Sequence, residues 1–284
     1  MRYHHVDVFA PEPYRGNSLA VFPDARGLST HQMARITQEL RHFESIFLAR
    51  DGDDRRWQAR VFDLVDELDF AGHPVLGAAC VLHELHGDTA SESWTIGLPA
   101  RTVRVTTRRG EPGRFAGVVD QGAAEFLGEP DVPLADLAAW FALAEHDLDP
   151  DLPPEVVSTG LRYLILPVRA GALDRARIVP SDLAERLDAL GAQFAYLLDA
   201  STPEGRHWSN DGLVEDVATG SAAGCVAAYL HRHERLHDGQ TATLRQGRFL
   251  GRASEIAIRV HGGTVEVGGD VVLVGTGTLE RLPA

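Results

Sequence analysis

The chain has 284 residues, 44% of them hydrophobic and 24% charged, and a formal net charge of −14. This composition is typical of a globular protein with one large domain or two smaller ones. Nucleic-acid binding needs a basic face, so the acidic balance predicts no nucleic-acid partner. No apolar run of about 18 residues occurs, and we therefore expect no membrane-spanning helix.

The absence of lysine and the small number of cysteines limit the chemistry that this chain can perform. The sequence contains no lysine, so this chain carries neither a Schiff-base lysine nor a Walker A phosphate-binding loop. Its two cysteines, Cys80 and Cys225, fall inside apolar segments, where cysteines pack more often than they react. Few cysteines and a strand-like beginning without a signal-peptide pattern lead us to expect a cytoplasmic protein.

The first half of the sequence predicts strands separated by two helices. Residues 29–32 have the form of a capping box, and apolar residues at helical spacing follow them. The second helix, over residues 75–85, is preceded by Pro74, which is expected at its first position, and is expected to end near Gly87. Strands are predicted over residues 6–9, 18–22, 44–48, 57–62 and 101–107.

The second half begins after residues 110–133, a Gly-, Pro- and acid-rich stretch that we interpret as the domain crossover. Helices are predicted over residues 134–144, 181–190 and 221–236, and strands over 163–168 and 194–198. Four short hairpin strands are expected to follow, over residues 241–244, 255–260, 264–267 and 271–274, with a glycine turn at 268–270. Adjacent strands with few helices predict an α+β fold with mostly antiparallel pairing.

One short pattern occurs twice, about half the chain apart. In Phe70-Ala71-Gly72-His73-Pro74 and again in Thr219-Gly220-Ser221, a glycine turn carries a polar residue into an apolar helix. Helices that are apolar nearly all round must be buried, so we predict two similar halves, each an antiparallel sheet around one central helix. A helix N-terminus also attracts a carboxylate, which predicts a small anionic substrate.

Four residues are candidates for chemistry, and each also has a structural interpretation. Glu44 begins an apolar strand, where desolvation suits it to acid or base catalysis, or it faces water at a sheet edge. His73 either holds a ligand in the neutral state or caps its helix, and Ser221 offers the same alternatives. Asp216 either points inward or leaves that position to its neighbour Glu215.

A metal site is the weaker alternative. His233 and His237 have the i, i+4 spacing of zinc ligands, but Arg and acidic residues surround them, so a solvated face is the favoured interpretation. His83 and His86 are interpreted in the same way. We therefore expect no metal.

These motifs together resemble the PhzF family, the phenazine-biosynthesis isomerases with the diaminopimelate-epimerase-like fold. The resemblance covers nearly the whole chain. It rests on Val6-Asp7-Val8-Phe9-Ala10, Gly16-Asn17-Ser18-Leu19-Ala20-Val21-Phe22, Phe43-Glu44-Ser45-Ile46-Phe47, Phe70-Ala71-Gly72-His73-Pro74, Glu215-Asp216 with Thr219-Gly220-Ser221-Ala222-Ala223-Gly224, and Gln246-Gly247 with Gly251-Arg252.

The resemblance implies two pseudo-symmetric halves with the active site in the cleft between them. The halves would be residues 1–118, joined by the final strand 273–284, and residues 119–272. It also implies a homodimer that works without a cofactor on a small carboxylate substrate.

Individual roles follow from the same resemblance. Glu44 matches the catalytic residue that moves a proton on trans-2,3-dihydro-3-hydroxyanthranilate. His73 and Asp216 match residues that hold the substrate, and Gly72 belongs to the His73 motif. Gly220 and Ser221 match the seat of the substrate carboxylate.

Two segments depart from the phenazine pattern. Residues 206–212 (Arg-His-Trp-Ser-Asn-Asp-Gly) stand where an Arg-Met-Phe-Ser-Pro-like stretch is common, and residues 63–68 lack the usual Thr-Pro and Asn. A related isomerase or epimerase of another small acid is therefore an alternative. Two further alternatives are a hydrolase using His73, Asp216 and Ser221, and a binding protein without catalytic activity.

Overall fold

The structure is a computed structural model that describes residues 1–53 and 55–284. It consists of two compact units. Unit 1 comprises Met1–Asp120 and Gly268–Ala284, and unit 2 comprises Gln121–Val267. Unit 1 is therefore built from both ends of the chain, whereas unit 2 is one continuous segment.

Unit 1 is a closed sheet with one helix inside it and one outside. Its helices are α1 (Thr30–Leu40) and α2 (Gly72–His86), and its strands are β1 (Arg2–Val8), β2 (Asn17–Phe22), β3 (Glu44–Arg50), β4 (Arg56–Phe62), β5 (Glu67–Leu68), β6 (Ser91–Gly97), β7 (Thr102–Arg109) and most of β8 (Arg114–Gly122). The hydrogen-bonded order is β1-β2-β3-β4-β6-β7-β8, and β16 (Thr264–Thr278) then pairs with both β8 and β1. The last strand of the chain thus completes the sheet.

Helix α2 forms the centre of unit 1. Its residues from Gly72 to His83 are all buried, and it contacts β1, β2, β3, β6 and β7. Gly77 allows the close approach, because a Cβ at this position would lie 2.6 Å from Leu19 Cδ2. Helix α1 packs outside the sheet, on a cluster that includes Phe22, Phe47 and Phe62, and the predicted capping box between Ser29 and Gln32 is confirmed.

Unit 2 is also built from a mixed sheet and one buried helix. Its helices are α3 (Leu134–Trp140), α4 (Leu183–Ala189) and α5 (Gly220–Arg232), with short 3₁₀ helices at Glu145–Asp147 and Arg248–Leu250, and its strands are β9 (Glu125–Gly128), β10 (Glu155–Ser158), β11 (Arg162–Pro167), β12 (Phe194–Asp199), β13 (Glu204–Arg206), β14 (Thr241–Gln246) and β15 (Ser254–His261). The order is β9-β10-β11-β12-β13-β14-β15, followed by β16. Helix α5 is buried from Gly220 to Leu230 and contacts β10, β11 and β15.

The predicted α+β class is confirmed, but the sheets are mixed. Most pairings are antiparallel. Parallel pairing joins β2 to β3, β4 to β6, β11 to β12 and β13 to β14. A helix lies between the two strands of each such pair in the sequence (α1, α2, α4 and α5), because a parallel connection has to cross back over the sheet.

The boundaries of four helices differ from the sequence prediction, and one of them, α4, spans Leu183–Ala189 where residues 181–190 were predicted. Helix α5 ends at Arg232, before the predicted Leu236, because Glu234 adopts a left-handed conformation (φ 59°). Helix α3 ends at Trp140 and is followed by Ala142 with φ 58°. Pro74 is the third residue of α2, where its missing N–H costs nothing because the first-turn N–H groups have no partner within the helix.

The predicted glycine turn at residues 268–270 is wrong. Strand β16 runs straight through these residues, so the two hairpin strands predicted on either side of them are one strand. A Cβ on Gly268 would lie 2.5 Å from the carbonyl oxygen of Gly117 in β8. Glycine therefore stands here because the neighbouring backbone is close. Residues 110–133, interpreted as the domain crossover, contain β8 and β9, and the boundary between the two units lies there, after Asp120.

Among the residues that the structure describes, no helix is long and apolar enough to cross a membrane. The longest, α2, has 15 residues.

Candidate active site

Glu44 and His73 face each other inside unit 1. Glu44 is the first residue of β3 and His73 is the second residue of α2, and they are 8% and 4% exposed. Glu44 Oε2 lies 3.6 Å from His73 Nε2. The alternative of an edge-strand glutamate facing water is therefore wrong, because this carboxylate is buried beside an imidazole.

Asn17 contacts the other side of the same imidazole. It is the first residue of β2, is 1% exposed, and its Nδ2 lies 3.4 Å from His73 Nδ1. The turn before it requires glycine, because Gly16 has φ 61° and a Cβ there would lie 2.2 Å from the carbonyl oxygen of Val8. Gly16 thus allows the chain to enter β2 directly under the N-terminus of α2. We call Glu44, His73 and Asn17 the Glu44 cluster.

In unit 2, Asp216 lies in the turn that leads into α5. It is 6% exposed, and its Oδ2 accepts a 2.6 Å hydrogen bond from the Thr219 hydroxyl. Its Oδ1 accepts a 3.3 Å bond from the backbone N–H of Ala218. Its side chain therefore orders the backbone at the beginning of α5.

Gln246 holds this turn from the neighbouring strand β14. Its Nε2 donates to the Asp216 carbonyl at 2.8 Å and to the Thr219 hydroxyl at 2.9 Å, and its Oε1 accepts from the Thr219 N–H at 3.2 Å. The side chain is 1% exposed. Because both ends of its amide are used, the turn has one well-defined geometry.

Glu215, the acid next to Asp216, has a structural partner. Its two carboxylate oxygens accept from Arg206 at 2.8 and 2.6 Å, and both side chains are buried. The guanidinium of Arg206 lies 4.4 Å from the ring centre of Trp208 and 4.0 Å from that of Phe249. Of the two adjacent acids, Glu215 is therefore fixed in an ion pair.

Ser221 does not cap its helix, so that alternative is wrong. Thr219 occupies the cap position, and Ser221 is the second residue of α5. Its Oγ is 2.8 Å from the Tyr163 hydroxyl, and the two residues are 8% and 2% exposed. The nucleophilic serine of a hydrolase needs a hydrogen bond to a histidine. Ser221 instead contacts a tyrosine, and Asp216 accepts from a threonine.

Gly220 begins α5 and is held in place by Gln121, whose Nε2 donates to the Gly220 carbonyl at 3.0 Å. Thr219 makes no side-chain hydrogen bond to the helix backbone, and neither does Ala71 at the cap of α2, where Gly72 is the first residue. Both central helices thus begin without a side-chain cap. We call Asp216, Gly220, Ser221 and Tyr163 the Ser221 cluster.

His207 lies beside this cluster. Its Nδ1 is 2.9 Å from the Ala195 carbonyl, and its ring centre is 5.6 Å from those of Tyr163 and Phe194. Burial lowers the pKa of His207, although the charge of Asp216 opposes the shift.

The two cysteines are buried thiols. Burial raises the pKa of Cys225 to about 12 and raises that of Cys80 further. Since the thiolate is the nucleophile, neither side chain is suited to act as one near neutral pH.

No group of three or more His, Cys, Asp or Glu side chains that could hold a metal occurs within residues 1–53 and 55–284. Helix α5 ends before His233, whose Nε2 is 3.2 Å from Glu155 Oε2. The interpretation of His83 as a solvated residue was wrong, because it is 0% exposed and is 2.8 Å from the Thr107 hydroxyl.

The candidate residues therefore form two clusters, Glu44 with His73 in unit 1 and Asp216 with Gly220 and Ser221 in unit 2. Three residues that contact them had no assigned role in the sequence. These are Asn17, Tyr163 and Gln246. Asn17 and Gln246 lie within the motifs of the family resemblance, whereas Tyr163 had no signal beyond its place in a buried strand.

Comparisons with known proteins identify the family of this chain. The family model described as phenazine biosynthesis-like protein, PhzC-PhzF, matches residues 6–278. A trans-2,3-dihydro-3-hydroxyanthranilate isomerase of Pseudomonas aeruginosa is 32% identical over 95% of both chains. A solved structure of a predicted epimerase from Pseudomonas aeruginosa is 49% identical, with a TM-score of 0.94 over 99% of both chains.

A third similar protein, a PhzF-family phenazine biosynthesis protein of Bacillus anthracis, has a TM-score of 0.84 at 23% identity over 99% of both chains and so supports the fold. The family model covers nearly the whole chain, and the named relatives over this length are isomerases or a predicted epimerase. The chain therefore belongs to the PhzC-PhzF family, and it is an isomerase.

Proposed function

We propose that the chain shifts a proton on a small cyclic carboxylic acid, without a metal or cofactor, and that Glu44 carries the proton. The first candidate substrate is trans-2,3-dihydro-3-hydroxyanthranilate, on which the curated relative from Pseudomonas aeruginosa acts by its name. The observation that supports the proposal most is the buried Glu44 carboxylate 3.6 Å from His73 Nε2 at the N-terminus of α2. A base in this setting is poorly solvated and held in one orientation.

The proton shift needs one base and leaves the atom count unchanged. The Glu44 carboxylate takes the proton from ring carbon C3, which bears the hydroxyl group, and the electron pair moves into the conjugated system. The same carboxyl group then returns the proton to C1, giving an enol that tautomerises to the ketone. Glu44 ends as a carboxylate, ready for another cycle.

The substrate carboxylate would be held by the Ser221 cluster. The first N–H groups of α5 have no partner within the helix, and the positive end of the helix dipole lies there. Gly220 leaves the backbone accessible, and the Ser221 hydroxyl adds a donor. His73 and Asp216 would hold the hydroxyl and amino groups, and Gly72 would let the ligand approach α2 as Gly220 does at α5.

A second candidate is the isomerisation or epimerisation of another small carboxylic acid. One specific observation favours it. The chain is 49% identical to a predicted epimerase of Pseudomonas aeruginosa and only 32% identical to the hydroxyanthranilate isomerase of the same organism. The departures at residues 63–68 and 206–212 are compatible with this candidate.

The test is incubation with trans-2,3-dihydro-3-hydroxyanthranilate in D₂O. We expect loss of the diene absorbance and uptake of deuterium by the wild type. We expect a rate at least about 100-fold lower for Glu44→Gln, since the amide cannot accept the proton. The matched control is Glu39→Gln, the same change at an exposed position of α1, which should retain the wild-type rate.

Each remaining outcome contradicts a different part of the proposal. Equal turnover by Glu44→Gln and the wild type would remove Glu44 as the base. No turnover by the folded wild type would reject this substrate. The same assay would then be repeated with a panel of small cyclic and acyclic acids. Solvent exchange on one of those acids, abolished in Glu44→Gln, would establish the second candidate.

A further inference from the structure

We propose that Asn17 is a positioning residue that fixes the proton of His73 on Nε2, so that the imidazole donates toward the Glu44 carboxylate. The inference rests on the proposed role of Glu44 in catalysis. It assigns a function to a buried side chain that contacts His73. Its basis is the geometry of the Glu44 cluster.

The first step concerns the atoms between Glu44 and His73. Glu44 Oε2 and His73 Nε2 are 3.6 Å apart in a buried setting. An ionised carboxylate has only lone pairs to offer. If Nε2 also presented a lone pair, two acceptors would face each other where little water screens them, which is unfavourable. The proton of His73 is therefore expected on Nε2.

The second step concerns the charge of the ring. His73 is the second residue of α2, so it lies at the positive end of the helix dipole, which disfavours an imidazolium. A neutral ring with its proton on Nε2 has a lone pair on Nδ1. That lone pair needs a donor, because the residue is only 4% exposed.

The third step identifies the donor. Asn17 Nδ2 lies 3.4 Å from His73 Nδ1, and Asn17 is 1% exposed. Its amide N–H can only donate, so the contact selects the tautomer with an unprotonated Nδ1. The residue is held rigidly, since it begins β2 directly after the Gly16 turn and pairs with Val8 of β1.

The consequence is that each of the three side chains orients the next one. Asn17 sets the tautomer of His73, and His73 then directs a donor toward Glu44. This donor stabilises the carboxylate form of Glu44, which is the form that accepts a proton from the substrate. A residue that only filled space would leave the tautomer free.

The experiment reads the tautomer directly and needs no substrate. Protein labelled with ¹⁵N-histidine is examined by long-range ¹H–¹⁵N NMR, and His73 is assigned by comparison with His73→Gln. We expect the Nε2–H tautomer in the wild type, a mixture of tautomers in Asn17→Leu, and the Nδ1–H form in Asn17→Asp, whose carboxylate accepts a hydrogen bond. The matched control is Asn210→Leu, which removes a donor to the Gln193 carbonyl in unit 2 and should leave the His73 signals unchanged.

A proton on Nδ1 in the wild type would overturn the inference, and this result requires no variant to fold. An unchanged tautomer in folded Asn17→Leu or Asn17→Asp would overturn it as well. Once a substrate that the enzyme converts is known, we expect Asn17→Leu to lower kcat by about 10-fold or more with little change in KM. The substitution affects the catalytic base and leaves the groups that bind the substrate carboxylate unchanged. Failure of the substrate test alone leaves the NMR result standing, so the two proposals fail separately.

Discussion

The second residue of each central helix contacts a side chain from a neighbouring strand. His73 of α2 meets Asn17 of β2, and Ser221 of α5 meets Tyr163 of β11. In both units that strand is the first of a parallel pair, β2 with β3 and β11 with β12. The polar group at each helix N-terminus is thus oriented by a buried partner, as a preorganised site requires.

Tyr163 provides a test of this orientation in unit 2. We expect Tyr163→Phe to raise KM about 5-fold with little change in kcat, since one neutral hydrogen bond contributes about 1 kcal/mol. The phenylalanine ring keeps the packing against Phe194 and His207. Steady-state kinetics on the substrate found by the deuterium test provide the measurement.

The control is Tyr229→Phe, which removes a 2.7 Å hydrogen bond from the Tyr229 hydroxyl to the Pro153 carbonyl without touching Ser221. It should lower stability and leave KM unchanged. Identical kinetics for the two variants would show that the Tyr163 hydroxyl does not orient Ser221.

The sequence identified those residues whose chemistry is visible in a local pattern. His73 and Ser221 stand directly after a glycine at the start of an apolar helix, and Glu44 begins an apolar strand. Tyr163 was missed because its role depends on a contact with a residue 58 positions away. Such a contact results from tertiary packing, and the spacing of residues in the sequence does not predict it.

The same distinction holds for the helices and strands. Long amphipathic or apolar segments such as α1, α2 and α5 were predicted because their pattern is local. Strand β6 was missed although Glu92, Trp94 and Ile96 alternate in it as buried residues. The ends of α3 and α5 depend on the left-handed residues Ala142 and Glu234, and neither alanine nor glutamate predicts that conformation.

Two of the four glycines of β16, Gly268 and Gly275, provide a matched pair for a stability test. We expect Gly268→Ala to lower the free energy of unfolding by about 1–3 kcal/mol, because the new Cβ would lie 2.5 Å from a carbonyl oxygen that cannot move independently of β8. Gly275 lies in the same strand, and a Cβ added there would meet no atom within 4 Å. We therefore expect Gly275→Ala to be neutral or slightly stabilising.

Urea denaturation of both variants provides the comparison. Equal stability of the two would mean that Gly268 stands in β16 for a reason other than the close approach of β8.

At the scale of the whole molecule, buried histidines make stability depend on pH. Burial lowers the pKa of His207 and of His4 from the ordinary value of 6.5. The unfolded chain therefore binds protons near pH 6.5 that the folded chain does not bind. Stability contributed by these groups is present above that pH and is lost as the pH falls toward the folded-state pKa.

We expect the free energy of unfolding to decrease as the pH falls below about 6.5, by at most about 1.4 kcal/mol per pH unit for each histidine. His207→Phe, which retains an aromatic ring, should reduce this slope. His31→Gln, at an exposed position of α1, should leave the slope unchanged. Urea denaturation across this pH range is the measurement, and equal slopes in the wild type and His207→Phe would contradict the prediction.

The closure of unit 1 by β16 has a consequence for protein synthesis. Strands β1 and β8 are translated before unit 2, yet they gain their shared neighbour only when residues 268–278 have been made. Unit 2 is complete before that point. At about 5–20 residues per second, the edges of β1 and β8 stay open for several seconds or longer while unit 2 is translated. The nascent chain therefore carries two unpaired strand edges while unit 2 is translated, and unpaired edges of this kind promote aggregation.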